Sequence, residues 1–235
     1  MSPPLLLVPG MLTDERVWRH VVPLLPSDWQ IRIANVLTQD NIKDMALDAW
    51  KVLQDLDQEQ AVIVAGFSLG GYVIMEMLSQ PLRRIHAIAL LSTSILPESA
   101  ESRVNREKTI AAMQANFPKV VEGILKYNTH EASDKILEEL REMQLTIGCE
   151  VAVRQMKAAI GRNDHRVKLA NLTLPTALMC GEYDRVTPPD LTRQIQECMP
   201  HASLTLAPTG HMLPVQQPEV VAQCLQSLWD STLTS

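Results

Sequence analysis

Short apolar runs bounded by turn residues recur along the chain at 5–8, 31–36, 61–65, 85–91, 176–180 and 203–206. Their length and near-continuous hydrophobicity predict strands buried on both faces. Between them lie longer stretches with a different period. In 42–56, Ile42, Met45, Ala49, Val52, Leu53 and Leu56 fall on one face of a helix. Strands alternating with such helices predict an α/β fold, a mostly parallel doubly wound sheet of about six strands covered on both sides.

The alternation stops after Leu91. From 97 to 169 the pattern is helical, with helices expected over 101–114, 118–127, 133–145 and 149–160. Pro118 suits a first helical turn and Ser133 an N-cap. Strand signals resume at Leu174, so 97–169 is expected to be a helical cap inserted in a core domain made of 1–96 and 170–235. A block inserted late in such a sheet lies over the carboxyl ends of the strands, where doubly wound sheets bind ligands.

Composition narrows the function classes. The 235 residues are 46% hydrophobic and 20% charged, as in an ordinary globular protein, which excludes disordered and fibrous classes. Lys and Arg number 21 against 27 Asp and Glu, with no basic run, so nucleic acid is not an expected partner. No stretch reaches the roughly 18 apolar residues of a membrane span. The first ten residues carry no basic region, and their apolar run breaks at Pro9, so no signal peptide is expected. Cys149, Cys180, Cys198 and Cys224 are scattered without C-x-x-C spacing, which implies neither a zinc site nor a disulfide framework and suits a reducing, cytoplasmic setting.

One segment carries chemistry. Gly66-Phe67-Ser68-Leu69-Gly70 is a G-x-S-x-G motif between an expected strand and an apolar helix. In that context the serine sits on a strained turn, and side chains at the flanking glycines would collide with neighbouring backbone. Taken alone, Ser68 also suits a plain N-cap of the helix starting near Leu69. The nucleophile reading requires an acid and then a histidine, each in a loop after a strand, and Asp184 and His211 stand at such places. Of the other histidines, His20, His130 and His165 fall in presumed helices or the insertion, His86 opens a strand, and His201 sits at a helix-to-strand turn. Glu182 is a rival to Asp184 for the acid. The loop Pro9-Gly10-Met11-Leu12 after the first strand would bring the Met11 N–H beside that of Leu69 as an oxyanion hole, although Pro-Gly also suits a simple turn. Leu12, Phe67 and Met212 are expected to line the substrate pocket.

With Ser68, Asp184 and His211 in that order, the chain resembles the α/β-hydrolase superfamily, in particular its compact, cap-bearing esterase- and thioesterase-like members. The resemblance spans nearly the whole chain and is carried by Leu7-Val8-Pro9-Gly10-Met11, Gly66 to Gly71, Gly181-Glu182-Tyr183-Asp184 with Thr187-Pro188, and Gly210-His211 with Pro218-Glu219. It implies a serine hydrolase acting on a small ester or thioester, with no metal or organic cofactor. Carbon–carbon bond hydrolases and lyases share the same three residues, and a non-catalytic small-molecule-binding protein on this fold is a further alternative. Ser68 excludes the members that use an aspartate nucleophile. Asn163-Asp164-His165-Arg166 resembles the segment where such caps return to the sheet, which implies that Asp164 and Arg166 are structural ties. Many relatives carry His-Gly where this chain has Pro9-Gly10, and many open with a hairpin before the first strand. Without that hairpin a sheet edge would be exposed and would suit pairing with a second copy, a homodimer. Arg103, Arg106 and Lys108 are either an anion-attracting group or a solvated helix face.

Overall fold

A computed structural model describes residues 4–233 of the chain. Its strands are β1 (Leu5–Val8), β2 (Ile31–Ile33), β3 (Val62–Phe67), β4 (Ile85–Leu91), β5 (Thr176–Gly181) and β6 (Ser203–Ala207). Among the described residues they form one six-stranded sheet in the order β2-β1-β3-β4-β5-β6, parallel throughout. All carboxyl ends therefore lie along one rim. Strand side chains alternate between two apolar layers. Leu6, Val8, Val62, Val64, Ile88 and Leu90 pack on one face against α1 (Ile42–Lys51), α2 (Leu69–Ser79) and α8 (Pro189–Cys198). Leu5, Leu7, Ile63, Ala65, Ala87 and Ala89 pack on the other against α9 (Leu213–Gln216), α10 (Pro218–Leu233) and a 3-10 segment at Glu15–Trp18. This is the doubly wound sheet that continuous apolar strands imply.

Two elements are shorter than their pattern. β2 stops at Ile33: Ala34 N–H still donates to Leu7 O at 2.9 Å, but the Asn35 side chain then accepts the Leu37 N–H at 2.8 Å and turns the chain. Helix α1 stops at Lys51, beyond which Leu53, Gln54 and Leu56 bond three residues back in tight turns. Leu53 stays buried there, which is why the apolar period runs on past the helix.

Between β4 and β5 stand α3 (Ala100–Ala115), α4 (Phe117–Asn128), α5 (Asp134–Ile147), α6 (Cys149–Ile160) and the short α7 (Arg166–Leu169). Ser133 caps α5, accepting the Ile136 N–H, and Pro118 sits in the first turn of α4. The return to the sheet is held differently from expectation. Asp164 and Arg166 bond to each other on the exposed surface. The ties are their neighbours: Asn163 Nδ2 donates to Glu76 Oε2 at 2.9 Å, and His165 Nε2 lies 2.9 Å from the same oxygen, with His165 Nδ1 2.9 Å from Ser79 Oγ. Glu76 is a buried carboxylate on α2, and a buried charge of that kind persists only when it is bonded. Gln80 Nε2 donates to the other Glu76 oxygen from the next turn of chain, at 3.4 Å, but Asn163 and His165 lie 87 and 89 residues away, beyond any local pattern.

Candidate active site

Ser68 follows the last residue of β3 and begins the turn into α2. Its backbone is left-handed, with φ 52° and ψ −111°. For a residue with a Cβ this costs on the order of 1–3 kcal/mol, so the surroundings must enforce it. They do: Ser68 N–H donates to Leu91 O at 2.8 Å, and Ser68 O accepts the Thr93 hydroxyl at 2.8 Å. The flanking glycines allow the close approach, since a Cβ at Gly66 would meet the Gly70 carbonyl and one at Gly70 would meet the Val8 carbonyl. Ser68 makes no side-chain capping bond to α2, so its hydroxyl is free for another partner.

That partner is His211. Ser68 Oγ lies 3.0 Å from His211 Nε2, and His211 Nδ1 lies 2.8 Å from Asp184 Oδ2. Asp184 and His211 hang from the carboxyl ends of β5 and β6, whose loops are joined by the Glu182 N–H to Ala207 O bond at 2.8 Å and the Tyr183 N–H to Thr209 O bond at 3.0 Å. His211 N–H is fixed by Asn128 O at 2.7 Å, at the end of α4. Because a carboxylate can only accept, Nδ1 carries the imidazole proton and Nε2 presents its lone pair to the hydroxyl.

Asp184 is 3% exposed. Burial opposes its ionisation, but the His211 charge and hydrogen bond, with the Thr187 N–H and hydroxyl, outweigh that and hold the carboxyl below its ordinary range. Its Oδ1 accepts from Val186 N at 2.8 Å and Thr187 N at 2.9 Å, and its Oδ2 from Thr187 Oγ1 at 2.9 Å. Glu182 is exposed, so the rival acid stands outside this network. Cys180, nearby, is no competing nucleophile: burial pushes its thiol up to about 11, which keeps it protonated.

Leu69 N–H opens α2 and Met11 N–H belongs to the loop after β1. Among the described residues neither has an acceptor within the chain. The Met11 loop is held by Gly10 N–H to Thr13 Oγ1 at 2.8 Å and by Leu12 N–H to Gln155 Oε1 at 2.9 Å. Gln155, from α6, has no local signal in the sequence.

Ser68 and His211 open into a cavity of about 530 Å³ between the sheet rim and the inserted helices. Leu12, Phe67 and Met212, together with Met11, line it from the sheet side, and Met113, Val120, Ile124 and Met156 from the helices. Met143 belongs to the core beneath α5. A mostly apolar cavity with a few convergent polar groups has the make-up of a small-molecule site. Among the described residues no group of three or more His, Cys, Asp or Glu is placed to hold a metal ion, and no helix is long and apolar enough to cross a membrane.

The chain is 24% identical to the uncharacterized hydrolase YugF of Bacillus subtilis, covering 93% of this chain and 87% of that protein. It is 25% identical to a pimeloyl-[acyl-carrier protein] methyl ester esterase of Nitrosomonas europaea, covering 97% and 96%. Among solved structures, a thermophilic esterase from Thermogutta terrifontis superposes with a TM-score of 0.87 at 23% identity, over 99% of this chain and 91% of that one. The model of the alpha/beta hydrolase family matches residues 5–224, the whole sheet with its inserted helices and the first part of α10, and the chain belongs to that family of hydrolases.

Proposed function

We propose that the protein is a serine ester hydrolase that works through an acyl-enzyme on Ser68. The observation that carries this is the relay Ser68–His211–Asp184, with links of 3.0 and 2.8 Å, at the floor of an apolar cavity. Ser68 Oγ attacks the ester carbonyl carbon as His211 Nε2 takes the hydroxyl proton. The oxyanion is held by the Met11 and Leu69 N–H groups, and Asp184 steadies the imidazolium. His211 then protonates the leaving alcohol, the C–O bond breaks, and water repeats the sequence on the acyl-enzyme to release the acid and restore Ser68.

A small carboxylic ester is the favoured substrate, with a thioester next. The Nitrosomonas europaea relative, named as a methyl ester esterase of a carrier-bound acyl group, supports that class, as does a cavity lined mainly by Met, Leu, Ile and Val. The test is labelling of the pure protein with a fluorophosphonate, followed by a panel of activated esters and thioesters. Wild type should label and turn over, while Ser68→Ala should lose both, with a rate loss of several orders of magnitude. Labelling of folded Ser68→Ala, or full turnover by it, would overturn the assignment.

A further inference from the structure

The cavity that holds Ser68 has one permanently charged side chain among its described lining residues, Arg106 of α3. Helical spacing brings Arg106, Thr109 and Met113 to the same wall, so a cation and a hydroxyl share a lining that is otherwise mainly apolar. An arginine in such a wall could be a structural tie, and Arg106 Nε does donate to Glu98 Oε1 at 3.0 Å. Charge counting argues that it is more. Glu98, whose side chain is 3% exposed, is also paired with Arg162, which donates further to the Leu96 and Ala159 carbonyls and stacks over Tyr72 with its guanidinium carbon 4.7 Å from the ring centre. Two guanidinium groups share one carboxylate, leaving one positive charge in excess. Arg162 alone would neutralise Glu98.

The hydrogen-bond inventory points the same way. An arginine has five N–H donors in a fixed fork. Arg106 places Nε on Glu98 and Nη1 3.3 Å from the Met156 sulfur, which is a weak acceptor. Its terminal nitrogens thus retain donor capacity at the cavity, in surroundings where a charge-assisted bond is strong. Arg103 and Lys108, by contrast, are exposed and do not line the cavity, so the basic residues of α3 divide into one that faces substrate and two that face solvent.

We infer that Arg106 is a specificity-determining residue that selects esters bearing a second, anionic group, such as a half-ester of a short dicarboxylic acid, by pairing its guanidinium with the substrate carboxylate. This rests on the ester-hydrolase reading above, and Glu98 holds Arg106 in place for it.

The experiment compares a matched pair of activated esters, p-nitrophenyl butyrate and the mono-p-nitrophenyl ester of glutaric acid, in wild type, Arg106→Gln and Arg106→Lys. The ratio of kcat/KM for the anionic over the neutral ester should fall about tenfold or more in Arg106→Gln, and Arg106→Lys should restore part of it. An unchanged ratio, with both rates falling together, would make Arg106 a structural tie and overturn the inference. Binding separates this from failure of the hydrolase reading: by calorimetry, monomethyl glutarate should bind folded Ser68→Ala and lose about tenfold in affinity when Arg106→Gln is added. Equal binding by the two overturns the inference, whereas loss of binding in a protein that hydrolyses no ester leaves an anion site and overturns the hydrolase reading alone.

Discussion

Gln155, on the inserted helix α6, accepts the Leu12 N–H at 2.9 Å and donates to Val36 O at 3.0 Å. It thereby clamps the loop after β1 to the segment after β2 from above. Leu12 is itself left-handed at φ 54°, so the loop carries strain that this bond helps to hold. Gln155 is fully buried. Replacing it with Leu strands an N–H and a carbonyl, at about 1–3 kcal/mol for each group left unpaired. Gln155→Leu should therefore lower the melting temperature, and it should lower kcat because the adjacent Met11 N–H is no longer aimed. A wild-type kcat in a destabilised variant would show that the clamp serves stability alone.

The elbow makes a sharper steric prediction. A Cβ at Gly70 would fall on the carbonyls of Val8 and Pro9, which are backbone in the middle of the fold and cannot step aside. Overpacking of a tight core costs typically about 1–3 kcal/mol, and a clash with backbone sits at the upper end or beyond. Gly70→Ala should unfold at clearly lower urea than wild type and should lose fluorophosphonate labelling in whatever fraction stays folded. Gly123→Ala, in the interior of α4 where a Cβ meets open space, is the control and should hold or raise the midpoint, since Gly in a helix interior costs about 0.5–1 kcal/mol relative to Ala. Equal midpoints for the two would refute the steric account.

The strands, the elbow and the order of the three polar residues were legible in the sequence because each is a local pattern: an apolar run, a Gly-x-Ser-x-Gly turn, a loop after a strand. All six strands fell within three residues of expectation. What stayed hidden were side chains whose meaning lies in a distant partner. Gln155 is one glutamine in an amphipathic helix until Leu12, 143 residues earlier, is folded beneath it. The resemblance of 163–166 to a cap-return segment singles out Asp164 and Arg166 as ties, whereas of these four residues it is Asn163 and His165 that reach Glu76. Arg106 is separated from Arg103 and Lys108 only by the direction in which its turn of helix faces.

Asp184 ties the site to pH. Its folded carboxyl titrates below its ordinary value, so between the two values the unfolded chain binds more protons than the folded one. The contribution is fully present above the ordinary aspartate range near 4 and is lost as pH falls through the depressed folded value. Urea midpoints measured from about pH 7 down to about pH 3 should drop at the acid end in wild type, and the drop should be shallower in Asp184→Asn. Parallel curves for the two proteins would assign the acid loss to other carboxylates.

Arg185, next in sequence to Asp184, joins the acid loop to the inserted helices. Its Nη2 donates to Lys126 O at 2.6 Å and its Nε to Tyr127 O at 3.2 Å, while Tyr127 OH returns a bond to Arg185 O at 2.9 Å. A cation on the last carbonyls of α4 also meets the negative end of the helix dipole, worth about 0.3–1 kcal/mol at a surface site. The same helix end presents the Asn128 carbonyl that holds His211 N–H, so fraying there should reach the base. Arg185→Met should speed amide exchange over 125–130 and at His211, and lower kcat several-fold with a small change in melting temperature. Arg185→Lys keeps the charge but not the fork, and should recover only part of the protection. Wild-type exchange at His211 in Arg185→Met would mean that the loop holds the imidazole without help from α4.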